Sequence, residues 1–276
     1  LSNYPSRLIM SMLVAIQSFV TAYLFTRSDF TTIFTPVITF AIIKSRSRSI
    51  DRIVVCGLWT WLHLLAFCVS NQLISVEEDT INKSWRPLPS GRISISATSK
   101  LRWLLVPICL TFSLFTNAFA ASVVLIIATF VYNEMLFHHH WASKTLLTVI
   151  GYGAFITGSL MILSEPVGDI SIRSIKSLST ILLVLLMTIH AGDLPDVEGD
   201  KTIGRQTFPV SHPTLSRYSL IFSILLWSLY PLVDTAPAGY ILALNTCFGV
   251  FVAARYGTLT TSRDDKTSSV LYYVSS

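Results

Sequence analysis

Apolar stretches at 53–69, 118–131, 178–189 and 220–232 recur along the whole 276-residue chain instead of marking a single anchor. Few folds accept such a pattern. With 52% apolar and only 13% charged residues, against roughly 25% charged in a soluble domain, and a mean hydropathy of +0.62, the chain reads as a polytopic membrane protein. The stretches are apolar all round and of helical span length, whereas a closed barrel needs short alternating segments, so the expected class is all-α. Cys56, Cys68, Cys109 and Cys247 lie in apolar stretches without metal-ligand spacing, which leaves disulfide and zinc roles unsupported.

Helical segments are expected near 8–25, 30–43, 53–76, 101–116, 118–137, 145–163, 175–192, 215–233 and 237–255. The first carries Gln17, Ser18 and Thr21 among its apolar residues and suits either a span or an interfacial helix. Residues 1–28 therefore form an extra or peripheral helix in one reading, and the transmembrane bundle counts eight or nine helices. No internal repeat or low-complexity linker divides the chain, and 1–276 reads as a single integral-membrane domain. Leu1 is not an initiator Met, so further chain is expected upstream, and nothing before Leu8 resembles a cleavable signal.

Alternation across the bilayer puts the loops 77–100, 138–144 and 193–214 on one face, with Arg27 and the tail from Arg255. That face collects most of the 20 Lys and Arg residues, leaving Arg7, Lys44, Arg46, Arg48, Arg52, Arg173 and Lys176 opposite. The excess assigns it to the cytosol, and in a eukaryotic cell to the endoplasmic reticulum membrane. A formal net charge of +5 is modest, and cations near span ends bind lipid headgroups. The lipid bilayer is thus an expected partner, no nucleic acid is expected, and no obligate protein partner is evident.

Two polar constellations interrupt the apolar pattern. The first follows the third segment: Asn71, Ser75, Glu78, Asp79 and Asn82 fall at three- and four-residue steps, so a helix would present oxygen ligands on one face at a membrane boundary. Pro87, Pro89 and Gly91 then end the helix and leave Lys83, Arg86 and Arg92 to reach an anion. The second follows the seventh segment, where Asp193, Asp196 and Asp200 share a helical face, with Lys201 and Arg205 after them. Three aligned carboxylates repel one another unless a cation joins them. Oxygen donors suit Mg²⁺, which completes its shell with water and substrate phosphate.

These stretches resemble the UbiA superfamily of intramembrane prenyltransferases, which carries N-D-x-x-D-x-x-x-D followed by R-P-L-x-x-G, and later D-x-x-D-x-x-x-D followed by G-x-x-T-x-P. Here the first pair runs over 71–91 and the second over 193–209. Thr26-Arg27-Ser28-Asp29 before a proline-containing segment, and Tyr132-Asn133 followed by Lys144 and Gly151-Tyr152-Gly153, look like the family's intervening elements. The resemblance implies a helical bundle with a lateral, lipid-facing apolar cavity, Mg²⁺ bridging both Asp-rich segments to an isoprenyl diphosphate, and ionisation to an allylic cation.

The first motif departs from the pattern: Gln72 and Ser75 stand where the family has Asp, so Asn71 and Asp79 match and Glu78 is a substitute ligand on the same face. Such erosion is similar to that of the superfamily's fungal membrane terpene cyclases, in which the cation attacks its own double bonds. The expected metal ligands are Asn71, Glu78, Asp79, Asp193, Asp196 and Asp200, with Asp79, Asp196 and Asp200 foremost in catalysis. Arg86, Lys144, Lys201 and Arg205 are expected to neutralise the diphosphate with Asn71, and Tyr132 joins them by resemblance. The expected reaction is Mg²⁺-dependent cyclisation of farnesyl or geranylgeranyl diphosphate, the alternative being prenyl transfer to an acceptor, and a transporter the reading from another class.

Other residues invite a chemical reading that their context weakens. His138-His139-His140 cannot share one helical face, and the expected ion prefers oxygen. His190 is expected as a hydrogen-bonded core residue before a proton acceptor. Stepping back from Asn71 by helical turns reaches Phe67, Leu64, His63, Thr60 and Trp59, a face whose aromatic members suit a carbocation or plain packing. Single cysteines placed in 77–100 and in 193–214 should both react with an impermeant reagent from the cytosolic side, and opposite accessibility would refute the topology.

Overall fold

The computed structural model describes residues 4–45, 49–165, 168–229 and 239–275. Arg46, Arg48, the side chains of Arg7 and Asn82, and the parts of two expected segments at 230–233 and 237–238 lie outside the described residues. Helices carry the described chain and no strand occurs among those residues; an isolated bridge pairs His140 with Gln206.

Helix α1 (Tyr4–Thr26) leads through a 3₁₀ turn (Arg27–Asp29) and a π turn (Phe30–Phe34) into α2 (Thr35–Lys44). The sequence reading separates these as 8–25 and 30–43, whereas helical turns carry the chain across the junction. Pro36 sits in the first turn of α2, where a missing N–H costs nothing. There follow α3 (Ile50–Ile74), α4 (Val76–Asn82), α5 (Ile95–Phe115), α6 (Phe119–Asn133), α7 (Trp141–Leu163), α8 (Ile172–Thr188), α9 (Val197–Thr202), α10 (Phe208–Ser211), α11 (Pro213–Leu229), α12 (Gly239–Thr258) and α13 (Ser262–Ser275). Four of these, α4, α9, α10 and α13, fall where the sequence reading has loop or tail. The short α4 gathers Glu77, Glu78 and Asp79 in its first turn, where carboxylates favour the helix dipole. The polar α13 lacks the apolar run that marks a span.

Among the described residues five helical runs are long and apolar enough to cross a bilayer: Ile9–Lys44, Ile50–Ile74, Ile95–Phe115, Trp141–Leu163 and Ile172–Thr202. Phe119–Asn133 is apolar but shorter.

The chain divides into two compact units, one of residues 1–133 with 151–174, the other of 134–150 with 175–276. In the first, α3 is laced to its neighbours by side-chain hydrogen bonds. Arg52 donates to the Ser164 carbonyl at 2.8 Å, and the Thr60 and Ser159 hydroxyls lie 3.1 Å apart, zipping α3 to α7. Trp59 Nε1 donates to Ser113 Oγ on α5 at 2.7 Å, and His63 Nε2 meets Ser122 Oγ on α6 at 2.7 Å. Lipid gives helices little hydrophobic reason to associate, so small residues and polar contacts do much of the joining.

The second unit packs Ala191, Leu194, Leu220, Ile224, Val252, Ala253, Tyr256 and Tyr272 into one core. Arg217 on α11 grips Asp265 of α13 through two bonds of 2.9 and 2.7 Å.

Trp59 is fully buried because Gly158 on α7 leaves room for its ring: a Cβ there would lie 2.2 Å from Trp59 Cη2. Gly158→Ala should therefore destabilise the protein by roughly 1–3 kcal/mol through overpacking. Thermal unfolding in detergent checks this, and an unchanged midpoint would contradict it.

Candidate active site

Each unit holds one acidic segment, and in each an aspartate is already paired with a cation. In the first unit α3 ends at Ile74 and α4 starts at Val76, yet the bonds from Ser75 N to the Asn71 carbonyl and from Asp79 N to the Ser75 carbonyl carry helical turns through the break. The expected face survives in part. Ser75 Oγ lies 3.3 Å from Asp79 Oδ2, Asp79 is buried, Glu78 is half-buried, and the Asn82 side chain is outside the described residues.

Arg86 Nη1 donates to both Asp79 oxygens at 2.7 and 2.8 Å, and both side chains are more than nine-tenths buried. The sequence reading leaves Arg86 free for an anion, whereas here it neutralises Asp79. Its Nε has no hydrogen-bond partner among the described residues. Deleting either member would strand a buried charge, at a cost of roughly 3–5 kcal/mol.

Gln72, at a position of the eroded motif, is 1% exposed and donates through Nε2 to the Phe25 carbonyl at 2.8 Å. The change to 3₁₀ and π turns after Thr26 alters the backbone ladder there, and α3 holds that segment from the side. Trp61 Nε1 donates to Thr26 Oγ1 at 3.2 Å, and Cys68 Sγ lies 3.4 Å from Asp29 Oδ2. Asp29 in turn interacts electrostatically with Arg86, Lys83 and Asp79. It is a member of this cluster that carboxylate spacing alone misses, because 50 residues of chain separate it from Asp79.

Asn71 Nδ2 donates to Asn133 Oδ1 at 3.1 Å, and Phe67 meets the Tyr132 ring edge-on at 5.8 Å. The Tyr132-Asn133 pair thus joins the end of α3. Trp59, Thr60, His63 and Leu64, whose face the sequence leaves open to a carbocation or to plain packing, are buried in helix contacts. Of that row Phe67 is half-buried.

In the second unit the three aspartates lie on no single α-helix. Ile189–Gly192 and Leu194–Asp196 are 3₁₀ turns, and α9 begins at Val197. Asp193 and Asp196 still share an edge, since 3₁₀ residues three apart eclipse. Lys144 Nζ meets Asp193 Oδ1 at 2.5 Å. Asp200 is buried, accepts from Thr207 Oγ1 at 3.1 Å, lies 3.6 Å from Arg205 Nη1, and also interacts electrostatically with Lys144 and Asp193. Gly204, at φ +73°, takes the left-handed conformation that closes α9 and returns Arg205 to Asp200. Asp196 and Lys201 are exposed.

The run His138–His140 is tied to the chain near Gln206 through its backbone. Gln206 N donates to the His139 carbonyl at 2.7 Å, Trp141 N donates to the Gln206 carbonyl at 2.8 Å, and His138 is buried. His190 Nε2 donates to the Ser216 carbonyl at 2.9 Å, the core role expected of it.

The donor chemistry fits a hard divalent ion, since the clustered groups are carboxylate oxygens. Among the described residues no three His, Cys, Asp or Glu side chains converge on one point, so an ion would take part of its shell from water and phosphate, as Mg²⁺ does. In the second unit Asp193 and Asp200 would hold it; in the first, Asp79 is the buried carboxylate.

Comparison with known proteins finds relatives along most of the chain. The chain is 33% identical over 213 residues to the fumagillin beta-trans-bergamotene synthase of Aspergillus fumigatus, covering 76% of this chain and 72% of that protein. It is 31% identical over 196 residues to the somaliensene A/B synthase of Streptomyces somaliensis, covering 68% of this chain and 64% of that protein. Similarity at 30% over 189 residues reaches the digeranylgeranylglyceryl phosphate synthase of Methanocaldococcus jannaschii, covering 66% and 60%. A UbiA homolog from Archaeoglobus fulgidus, solved with DMAPP and Mg²⁺, has the same fold at a TM-score of 0.66 and 15% identity, over 92% of this chain and 97% of that one. The model of the UbiA prenyltransferase family matches residues 30–276, and the chain belongs to that family as an integral membrane protein.

Proposed function

We propose that this protein is a Mg²⁺-dependent membrane terpene cyclase acting on a linear isoprenyl diphosphate of the farnesyl or geranylgeranyl class. The observation that carries the reading is the similarity to the bergamotene synthase over most of both chains. The burial of Gln72 supports it: the amide is spent on the Phe25 carbonyl and offers no carboxylate to a metal. The first motif therefore differs in chemistry from the Asp-rich pattern of the family's prenyltransferases. A UbiA homolog of the same fold solved with GPP and Mg²⁺ supports the choice of ion.

Bound Mg²⁺ would supply a Lewis acid for the negative charge on the departing diphosphate. The chain's own groups act by exchanging partners. Lys144 and Arg205 neutralise Asp193 and Asp200 at rest. With a metal-diphosphate bound, Asp193 and Asp200 would face the cation and Lys144 and Arg205 the phosphate oxygens, so each charge would keep a counter-charge. Arg205 brings bidentate geometry to this task and Lys144 a mobile point charge.

Heterolysis of the C–O bond leaves the electron pair on diphosphate and an allylic cation on the chain. An apolar cavity folds that chain and excludes water. The cation then closes on an internal double bond and ends by losing a proton or adding water. Prenyl transfer to an acceptor is the second reading, favoured by the similarity to the digeranylgeranylglyceryl phosphate synthase.

Incubation with each diphosphate and Mg²⁺, without an acceptor, should give a cyclic hydrocarbon or alcohol by mass spectrometry, with one pyrophosphate per product. Asp196→Ala and Asp200→Asn should each lower turnover by about a hundredfold or more, as losses of charge stabilisation at a reacting centre do. Product that forms only when an aromatic or other acceptor is added would establish the transferase instead.

A further inference from the structure

The second acidic segment is irregular because Pro195 lies within it. In an α-helix the N–H of residue 195 would bond to the carbonyl of residue 191, and proline has none. The Ala191 carbonyl, on a fully buried residue, needs another donor. Ser269 Oγ of α13 supplies it at 2.7 Å.

The direction of that bond follows from a proton count. A carbonyl only accepts, so the single Ser269 hydroxyl proton goes to Ala191, and Tyr256 Oη, 3.1 Å away, must donate to Ser269. At the near end of α13, Ser262 Oγ donates to the Pro195 carbonyl at 2.7 Å. At the far end, Thr188 spends its proton on the Val184 carbonyl, so Tyr272 donates to Thr188 at 2.5 Å. The pair between half-buried Arg217 and buried Asp265 ties down the helix that carries these donors.

One polar helix thus meets the segment twice before its acidic edge, at Thr188 and Ala191, and once within it, at Pro195. This matters because a 3₁₀ turn repeats every three residues. Ala191 and Leu194 fall on one edge, buried in the core, while Asp193 and Asp196 fall on another. Drift of the segment toward α-helical winding would rotate Asp193 and Asp196 out of this eclipsed alignment, to the looser three-residue spacing of an α-helical face.

We infer that α13 is the positioning element of the second acidic segment, with the Ser269 hydroxyl as the donor that replaces the N–H missing from Pro195. The inference rests on the functional reading above, because the geometry it protects is that of groups holding a metal-diphosphate. Ser269 touches no substrate in this account; it is a positioning residue.

The test is calorimetric binding of Mg²⁺ with inorganic pyrophosphate to the full chain in detergent, beside the melting temperature without ligand. Ser269→Ala should weaken binding by about tenfold, the scale of one lost buried hydrogen bond. Ser269→Thr, which keeps the hydroxyl, should restore it. Thr267→Ala, on an exposed residue of the same helix, should bind as the wild type does. Ser262→Ala, at the exposed end of α13, offers a milder perturbation and should weaken binding by about threefold. Wild-type affinity in both serine variants, whatever their melting temperatures, would overturn the inference. A wild-type protein that binds no Mg²⁺-pyrophosphate would overturn the functional reading itself.

Discussion

A polar atom buried in apolar surroundings is costly unless it finds a partner, and that constraint organises both units. In the first, the side chains of α3 that carry polar atoms are also those that join it to other helices. Trp59 reaches Ser113, His63 reaches Ser122, Thr60 meets Ser159, and Asn71 reaches Asn133. The His63 tautomer follows from the same rule. Its Nδ1 lies 2.8 Å from the Trp59 carbonyl and must donate, so Nε2 accepts from the Ser122 hydroxyl. Where the ladder changes form, side chains complete it: Gln72 serves the Phe25 carbonyl and Ser269 that of Ala191.

The same economy governs charge. Asp79 has Arg86, Asp193 has Lys144, and Asp200 has Arg205 with Thr207. Isolated, these carboxylates would be poor residents of a membrane protein, but paired they are tolerable. The pairs differ in depth, and depth should set their roles. Asp79 and Arg86 are both buried and suit a fixed scaffold. Lys144 and Asp193 are partly exposed and suit exchange with an incoming ligand.

Much of this was legible in the sequence because acidic residues at fixed spacing in an apolar chain have few structural uses. Asp193 and Asp200, the downstream Gly204 and Thr207, and the distant Lys144 meet in the second unit, while Asp196 is exposed. What the sequence hid depends on contacts far along the chain. Asp29 meets the first cluster only through the kink after α1, and the loose-looking Arg86 turns inward because Asp79 is buried. Helix α13 escaped notice for a different reason. It carries Ser, Thr and Asp at positions where a periodicity search expects apolar residues, and two of its partners, at Ala191 and Pro195, are backbone carbonyls, which leave no trace in sequence pattern.

Partner exchange at Asp193 is the claim on which the functional account stands, and Lys144→Met tests it most directly. Removing the ammonium frees Asp193 for a cation and deprives the diphosphate of its counter-charge. Titration of the variant in detergent should therefore show Mg²⁺ alone binding more tightly than to the wild type and Mg²⁺-pyrophosphate binding more weakly. If both affinities moved in the same direction, or neither moved, Lys144 would not be exchanging between carboxylate and phosphate, and the account would be wrong.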